Sequence, residues 1–137
     1  MSVVDDELGT IAPWRRPPKA EWDDEDTYTL PLPRTTLVDN QVKLRVVKHR
    51  FTYGLIEFAL VYRTLYRASW CDVVEIDSCH DVDVHLHQYG RQAKSRIGEP
   101  GVLLAIGSME DVQRGYETAM SNLEKSWEQL RERWHHA

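Results

Sequence analysis

The feature that most constrains this chain is a change in the period of its apolar residues. Between Gln41 and Tyr89 they recur at every second position, as Val42, Leu44 and Val46, then Ile56, Phe58, Leu60 and Tyr62, then Val74 and Ile76, then Val82, Val84 and Leu86. From Val112 the spacing becomes helical, running through Tyr116, Ala119, Met120, Leu123, Trp127, Leu130 and Trp134. Period two marks strands with one buried face, and a period of 3.6 marks an amphipathic helix. Short connections between successive strands favour an antiparallel meander. The chain therefore reads as α+β, with a four- to five-stranded antiparallel meander (sheet 41–106) packed on one long C-terminal helix (108–135). The fifth strand is Val102 to Ile106, after a turn at Gly98, Pro100 and Gly101. Ser108 is the expected N-cap, with Asp111 at the third helical position. Such a helix spans roughly 40 Å and strands of seven or eight residues roughly 25 Å. The helix should overhang the sheet, so that Trp127, Leu130 and Trp134 need cover from the N-terminal arm, the domain's own core, or a second copy in a homodimer.

Residues 1–38 read as a Pro-rich, partly acidic N-terminal arm, and 39–137 as a single α+β domain. The arm holds Pro13, Pro17, Pro18, Pro31 and Pro33, which fix φ and remove donors, so it should be extended and irregular. Ile11, Trp14, Trp22, Leu30 and Leu32 can anchor it on the domain, or it can serve as a partner-binding tail. The net charge of −5 gives no global steering onto nucleic acid. RNA contact would need a local cluster drawn from Lys43, Arg45, Arg63, Arg91, Lys94 and Arg96, with Arg63, Lys94 and Arg96 as the RNA-binding candidates. Two cysteines are too few for a disulfide framework and fit a reducing cytoplasm. The first residues lack the pattern of a signal peptide, and no apolar run approaches the roughly 20 residues of a membrane span, so the expectation is a cytoplasmic protein with no membrane contact.

The chemically loaded stretch is Asp77 to Arg91. Alternation along a strand puts Asp83, His85, His87 and Tyr89 on one face, opposite Val82, Val84 and Leu86. The inward rows of the third and fourth strands are both even-numbered, so opposed residue numbers must sum to an even number. Every such register places Glu75 and Asp77 on the histidine face. Val73, Cys71, Glu57, Ala59, Val61 and Arg63 are expected there too.

Three readings of the histidines compete. Two imidazoles can hold opposite protonation states near neutrality and act as acid and base, with a carboxylate as orienter and an arginine on phosphate. That would suffice for metal-free RNA cleavage without a cofactor. His-x-His with a nearby carboxylate can instead hold zinc, with His80, His85 and His87 as the candidate ligands. Or the histidines are incidental residues of a solvated sheet face. A thiol nucleophile at Cys71 or Cys79 beside His80 lacks an orienting third group.

The run Val74-Glu75-Ile76-Asp77-Ser78-Cys79-His80-Asp81, then His85-Leu86-His87 and Gly90-Arg91, resembles the TumE-type toxin family of bacterial toxin–antitoxin pairs. It is also similar to an uncharacterised actinobacterial domain family of the same size. The resemblance covers about residues 42 to 92. It implies a bacterial or phage-encoded sheet-plus-helix protein acting on RNA and neutralised by an antitoxin partner, with Asp77, His80, His85, His87 and Arg91 as the matching positions. Asp81 departs from the pattern, in which a glycine follows the first histidine, and a side chain there alters the turn that presents His80. The resulting expectation is a toxin-like, metal-independent ribonuclease with His85 and His87 as acid and base, Asp77 or Glu75 as orienter, and Arg91 on phosphate. The alternative is a non-enzymatic interaction module whose arm and long helix bind a protein partner.

Overall fold

The computed structural model describes residues 14–32, 35, 39–79, 82–93 and 95–137. Six strands, β1 (Asp26–Pro31), β2 (Asn40–Lys48), β3 (Leu55–Tyr66), β4 (Ser69–Asp77), β5 (Asp83–Tyr89) and β6 (Arg96–Ala105), precede one helix, α1 (Met109–His136). The sheet is an antiparallel meander in which each strand pairs with the next, in the order β1 to β6. α1 packs on the even-numbered face. Val42, Phe58, Leu60, Tyr62, Val74, Ile76 and Val84 are fully buried there against Val112, Ala119 and Leu123. Burying each such aliphatic or aromatic side chain contributes about 1.5–3 kcal/mol, which is why the period-two rows and the helical stripe were readable. Ser108 caps α1 by accepting from the Asp111 amide at 3.3 Å, and the Asp111 carboxylate accepts from the Gly107 amide at 2.7 Å.

The α+β class holds, but the sheet has six strands rather than four or five. The extra strand, β1, comes from the arm: Asp26 to Pro31 pairs with Val46 to Gln41. The prolines suggested irregular chain, yet an edge strand tolerates a residue without a donor where its outer side faces no partner. The last strand also begins earlier than Val102. Gly98, in the left-handed region at φ 69°, together with Pro100 and Gly101, lies inside β6, whose register against β5 shifts twice. Those residues bulge a strand there, where they had suggested a turn. Val82, expected inward, precedes β5 and is 70% exposed.

At the helix overhang Trp134 is covered by the chain itself. β3 runs to 12 residues, longer than expected, and its last ring, Tyr66, meets Trp134 edge-to-face at 5.7 Å. Trp134 is buried, and its carbonyl accepts from the Arg91 amide in the β5–β6 turn. No helix among the described residues is long and apolar enough to cross a membrane.

Candidate functional site

The site grows from the register of β4 on β5. Asp77 pairs with His85 and Glu75 with His87, both sums even, on the face away from α1. Asp83, two residues before His85 on the same strand, completes the row. The His85 ring is only 7% exposed and Asp77 5%. Asp83 Oδ1 lies 2.8 Å from His85 Nδ1, while Asp77 Oδ1 is 3.5 Å from His85 Nε2. The first distance is a hydrogen bond and the second is too long for a good one. Asp77 Oδ1 also accepts from the Cys79 amide at 3.1 Å, which fixes the carboxylate. The His87 ring stands edge-on to His85 with centroids 4.7 Å apart. One ligand-capable atom from each of Asp77, His85 and His87 lies within 4.8 Å of the others.

Beside this triad is a second, charged group. Tyr89 donates to Glu75 Oε1 at 2.8 Å, and Arg96 reaches the same oxygen at 3.1 Å. Burial alone would raise the Glu75 carboxyl, but the hydrogen bonds from Tyr89 and Arg96 outweigh it and hold it below its ordinary value. Burial, then the neighbouring Arg96 and His85, holds the His87 imidazole below its ordinary value against the opposing pull of Asp77 and Glu75. Four of the five residues expected to carry catalysis, Glu75, Asp77, His85 and His87, are thus together, and Arg96 joins them from the expected RNA contacts.

The other expected basic residues that the structure describes are not there. Arg91, expected on phosphate, donates instead from Nε to the His135 carbonyl at 2.8 Å and lies over the Tyr66 ring, at the end of α1. The reason is local: Gly90 and Arg91 leave β5 toward the helix terminus, where unpaired carbonyls attract a guanidinium. Arg63 pairs with Asp72 at 3.6 Å and lies over Trp70. Arg45 is held by Glu57 at 2.8 Å and Glu25 at 3.2 Å, and Lys43 donates to Thr29. Lys94 and His80 lie outside the described residues. Among the described residues the basic side chains thus point to several different partners and build no single phosphate-binding patch around the histidines.

A bulge at Tyr62/Arg63 moves Cys71 off the face. Beyond it Arg63 pairs with Asp72 and Cys71 with Thr64, so Cys71 packs toward the core. Burial and the Asp77 and Glu57 carboxylates push the Cys79 thiol up to about 11, which leaves it a poor nucleophile at neutral pH. The arm does reach this face. Arg16 pairs with Glu57 at 2.8 Å and donates to the carbonyls of Ser78 and Cys79, just past Asp77. His49, on the same side of the molecule as the arm, is structural: it bonds Glu21 at 2.7 Å and accepts from the amides of the β2–β3 turn.

Sequence reasoning placed Asp83 on the face but gave the orienting role to Asp77 or Glu75. The available signal was its two-residue spacing from His85, which puts both side chains on the same side of one strand. Comparison with protein-family models, curated proteins and solved structures gave no match.

Proposed function

We propose that the protein binds one divalent metal ion of the zinc class through Asp77, His85 and His87, and that this centre hydrolyses phosphodiesters, with RNA as the substrate. The orientation of His85 supports this reading most. Its Nδ1 is engaged by Asp83, and its Nε2 faces the Asp77 carboxylate across 3.5 Å. With the ring proton on Nδ1 the Nε2 and the carboxylate are two acceptors that repel, and either a second ring proton or a metal cation between them relieves it. A carboxylate on the far nitrogen of a histidine is also the usual support of a metal ligand, fixing its tautomer and raising its basicity. Ligand atoms around a zinc ion at roughly 2.0–2.1 Å stand about 3.3 Å apart. The Asp77–His85 separation already fits, and a side-chain rotation of the less buried His87 closes the remaining distance from within 4.8 Å.

Three protein ligands leave a position open for water, whose pKa an ion of this class lowers to about 7. Arg96, beside His87, is the cation positioned to meet a phosphate oxygen. A metal-free division of labour between His85 and His87 fits less well, because His85 is nearly inaccessible and both its nitrogens face carboxylates. The three carboxylates of the face, Glu75 at Arg96 and Asp77 and Asp83 at His85, also disfavour an approaching phosphate unless a further cation offsets them. The toxin-like character and the antitoxin partner belong to the same proposal and rest on residues 74 to 91.

The test is RNA cleavage by protein stripped of metal and then reloaded with zinc or manganese, beside His87→Ala and Arg96→Gln. The expected result is cleavage that needs both metal and His87 and is weakened by Arg96→Gln. Full cleavage by the stripped protein would support the metal-free histidine pair and refute the ion's role. Metal binding without cleavage would refute the ribonuclease assignment.

A further inference from the structure

A cavity of about 620 Å³ lies apart from the carboxylate–imidazole cluster, where the β3–β4 hairpin, the β5–β6 turn and the C-terminal end of α1 meet. Its size falls within the range of roughly 300–1,000 Å³ typical of small-molecule sites. It is lined by residues that include Tyr66, Trp70, Tyr89, Trp134 and Arg91.

Arg91 is fixed before any ligand arrives. Its Nε donates to the His135 carbonyl at 2.8 Å, its Nη1 to the Tyr66 hydroxyl at 3.4 Å, and its guanidinium lies 5.2 Å from the Tyr66 ring centre. Among the described residues it has no carboxylate partner, and its Nη2 has no hydrogen-bond acceptor. The one acid in the wall, Asp72, is paired with Arg63. Arg67, in the hairpin turn, adds a second cation over Tyr66 at 5.1 Å. The cavity is thus aromatic, and among the described residues its Arg91 and Arg67 guanidiniums have no side-chain carboxylate partner, while the carbonyls ending α1 offset part of the Arg91 charge. A rigid guanidinium loses little freedom when it binds an oxyanion, and indole and phenol rings stack on flat ligands.

We propose that this cavity binds a small planar aromatic anion, its ring against Trp70 and its phosphate or carboxylate on Arg91. The cavity shares Tyr89 with the surroundings of the proposed metal centre but is lined by none of its three candidate ligands. Titration calorimetry in the presence of EDTA therefore tests it alone, using adenosine 5′-monophosphate and 2-naphthoate as the two anions and adenosine and inorganic phosphate as controls. Saturable one-to-one binding of either aromatic anion is expected, with both controls at least about tenfold weaker. Which anion binds tells a phosphate site from a carboxylate site. Arg91→Gln and Trp70→Ala should each weaken binding at least about tenfold. Arg91 also ties down the end of α1, so Trp70→Ala, on the hairpin, is the variant whose fold is least at risk. Circular dichroism accompanies both. No saturable binding by either anion, equal binding by the controls, or unchanged affinity in a folded Trp70→Ala protein would overturn the proposal.

Discussion

Gly115 lies on α1 directly against Val84 of β5, and adding one methyl group there tests how the site strand is seated. A Cβ built on Gly115 would stand 2.5 Å from Val84 Cγ2 and 3.3 Å from Val84 Cβ. Carbon atoms settle at about 3.5–4.0 Å, so something must move. Val84 is fully buried and β-branched, with few rotamers to retreat into. Forcing a methyl group into a packed core costs about 1–3 kcal/mol, and an approach of 2.5 Å to a buried side chain puts this contact at about 2–3 kcal/mol. Replacing a helical glycine by alanine returns about 1 kcal/mol. Gly115→Ala should therefore lose about 1–2 kcal/mol, and lower Tm by roughly 3–8 °C for a chain of this size. Urea unfolding followed by tryptophan fluorescence measures it. Adding Val84→Ala should relieve the clash, so the double variant should be more stable than the sum of the singles by about 1 kcal/mol. A neutral or stabilised Gly115→Ala protein, or strict additivity in the cycle, would refute the reasoning. Val84 sits between Asp83 and His85, so the same contact helps hold the orientation of the imidazole.

Other outcomes follow from the same structure. Asp83→Ala should weaken zinc binding roughly 10–100-fold while leaving the three ligands in place, as read by competition with a chromogenic chelator. Arg16→Ala removes one of two cations from the buried Glu57 carboxylate. It should cost about 1–2 kcal/mol and speed proteolysis within residues 14–25, read by timed digestion and mass spectrometry. Tyr62 is buried, which pushes its hydroxyl up to about 12, and it donates to Asn40 at 2.8 Å. A raised acid favours the fold in its neutral form. Its contribution is therefore complete below pH 10 and lost as pH rises toward 12, by at most about 2 kcal/mol. Tyr62→Phe should flatten that part of the stability–pH curve, and an unchanged slope would contradict the assignment.

The sheet and helix were legible because their apolar rows are long and regular, and strand parity carried that regularity to the other face. Glu75, Asp77, His85 and His87 could be grouped without knowing the turn, since any in-phase register gives the same answer. What parity could not reveal was where it breaks. The bulge at Tyr62/Arg63 turned Cys71 inward, and the irregular pairing of β6 hid a ten-residue strand behind Gly98, Pro100 and Gly101. β1 was obscured by Pro31 and its neighbours, whose effect depends on whether the strand lies at an edge. Arg91 was misplaced because sequence shows its distance from the histidines along the chain, whereas the turn at Gly90 carries it to the carbonyls ending α1. The carboxylate that orients His85 was present in the sequence, but which of three acids meets Nδ1 depends on side-chain direction within the pair of strands.

Asp77, His85 and His87 are proposed to hold a divalent ion together. The direct measurement is titration of chelator-stripped protein with zinc, and with cobalt for its visible spectrum, alongside His87→Ala. His87 is the least buried of the three ligands, so its loss least endangers the fold. One equivalent bound by the wild type, a cobalt spectrum of low coordination number, and at least about tenfold weaker binding by the variant are expected. Absence of stoichiometric binding, or equal binding by a folded His87→Ala protein, would contradict the proposal.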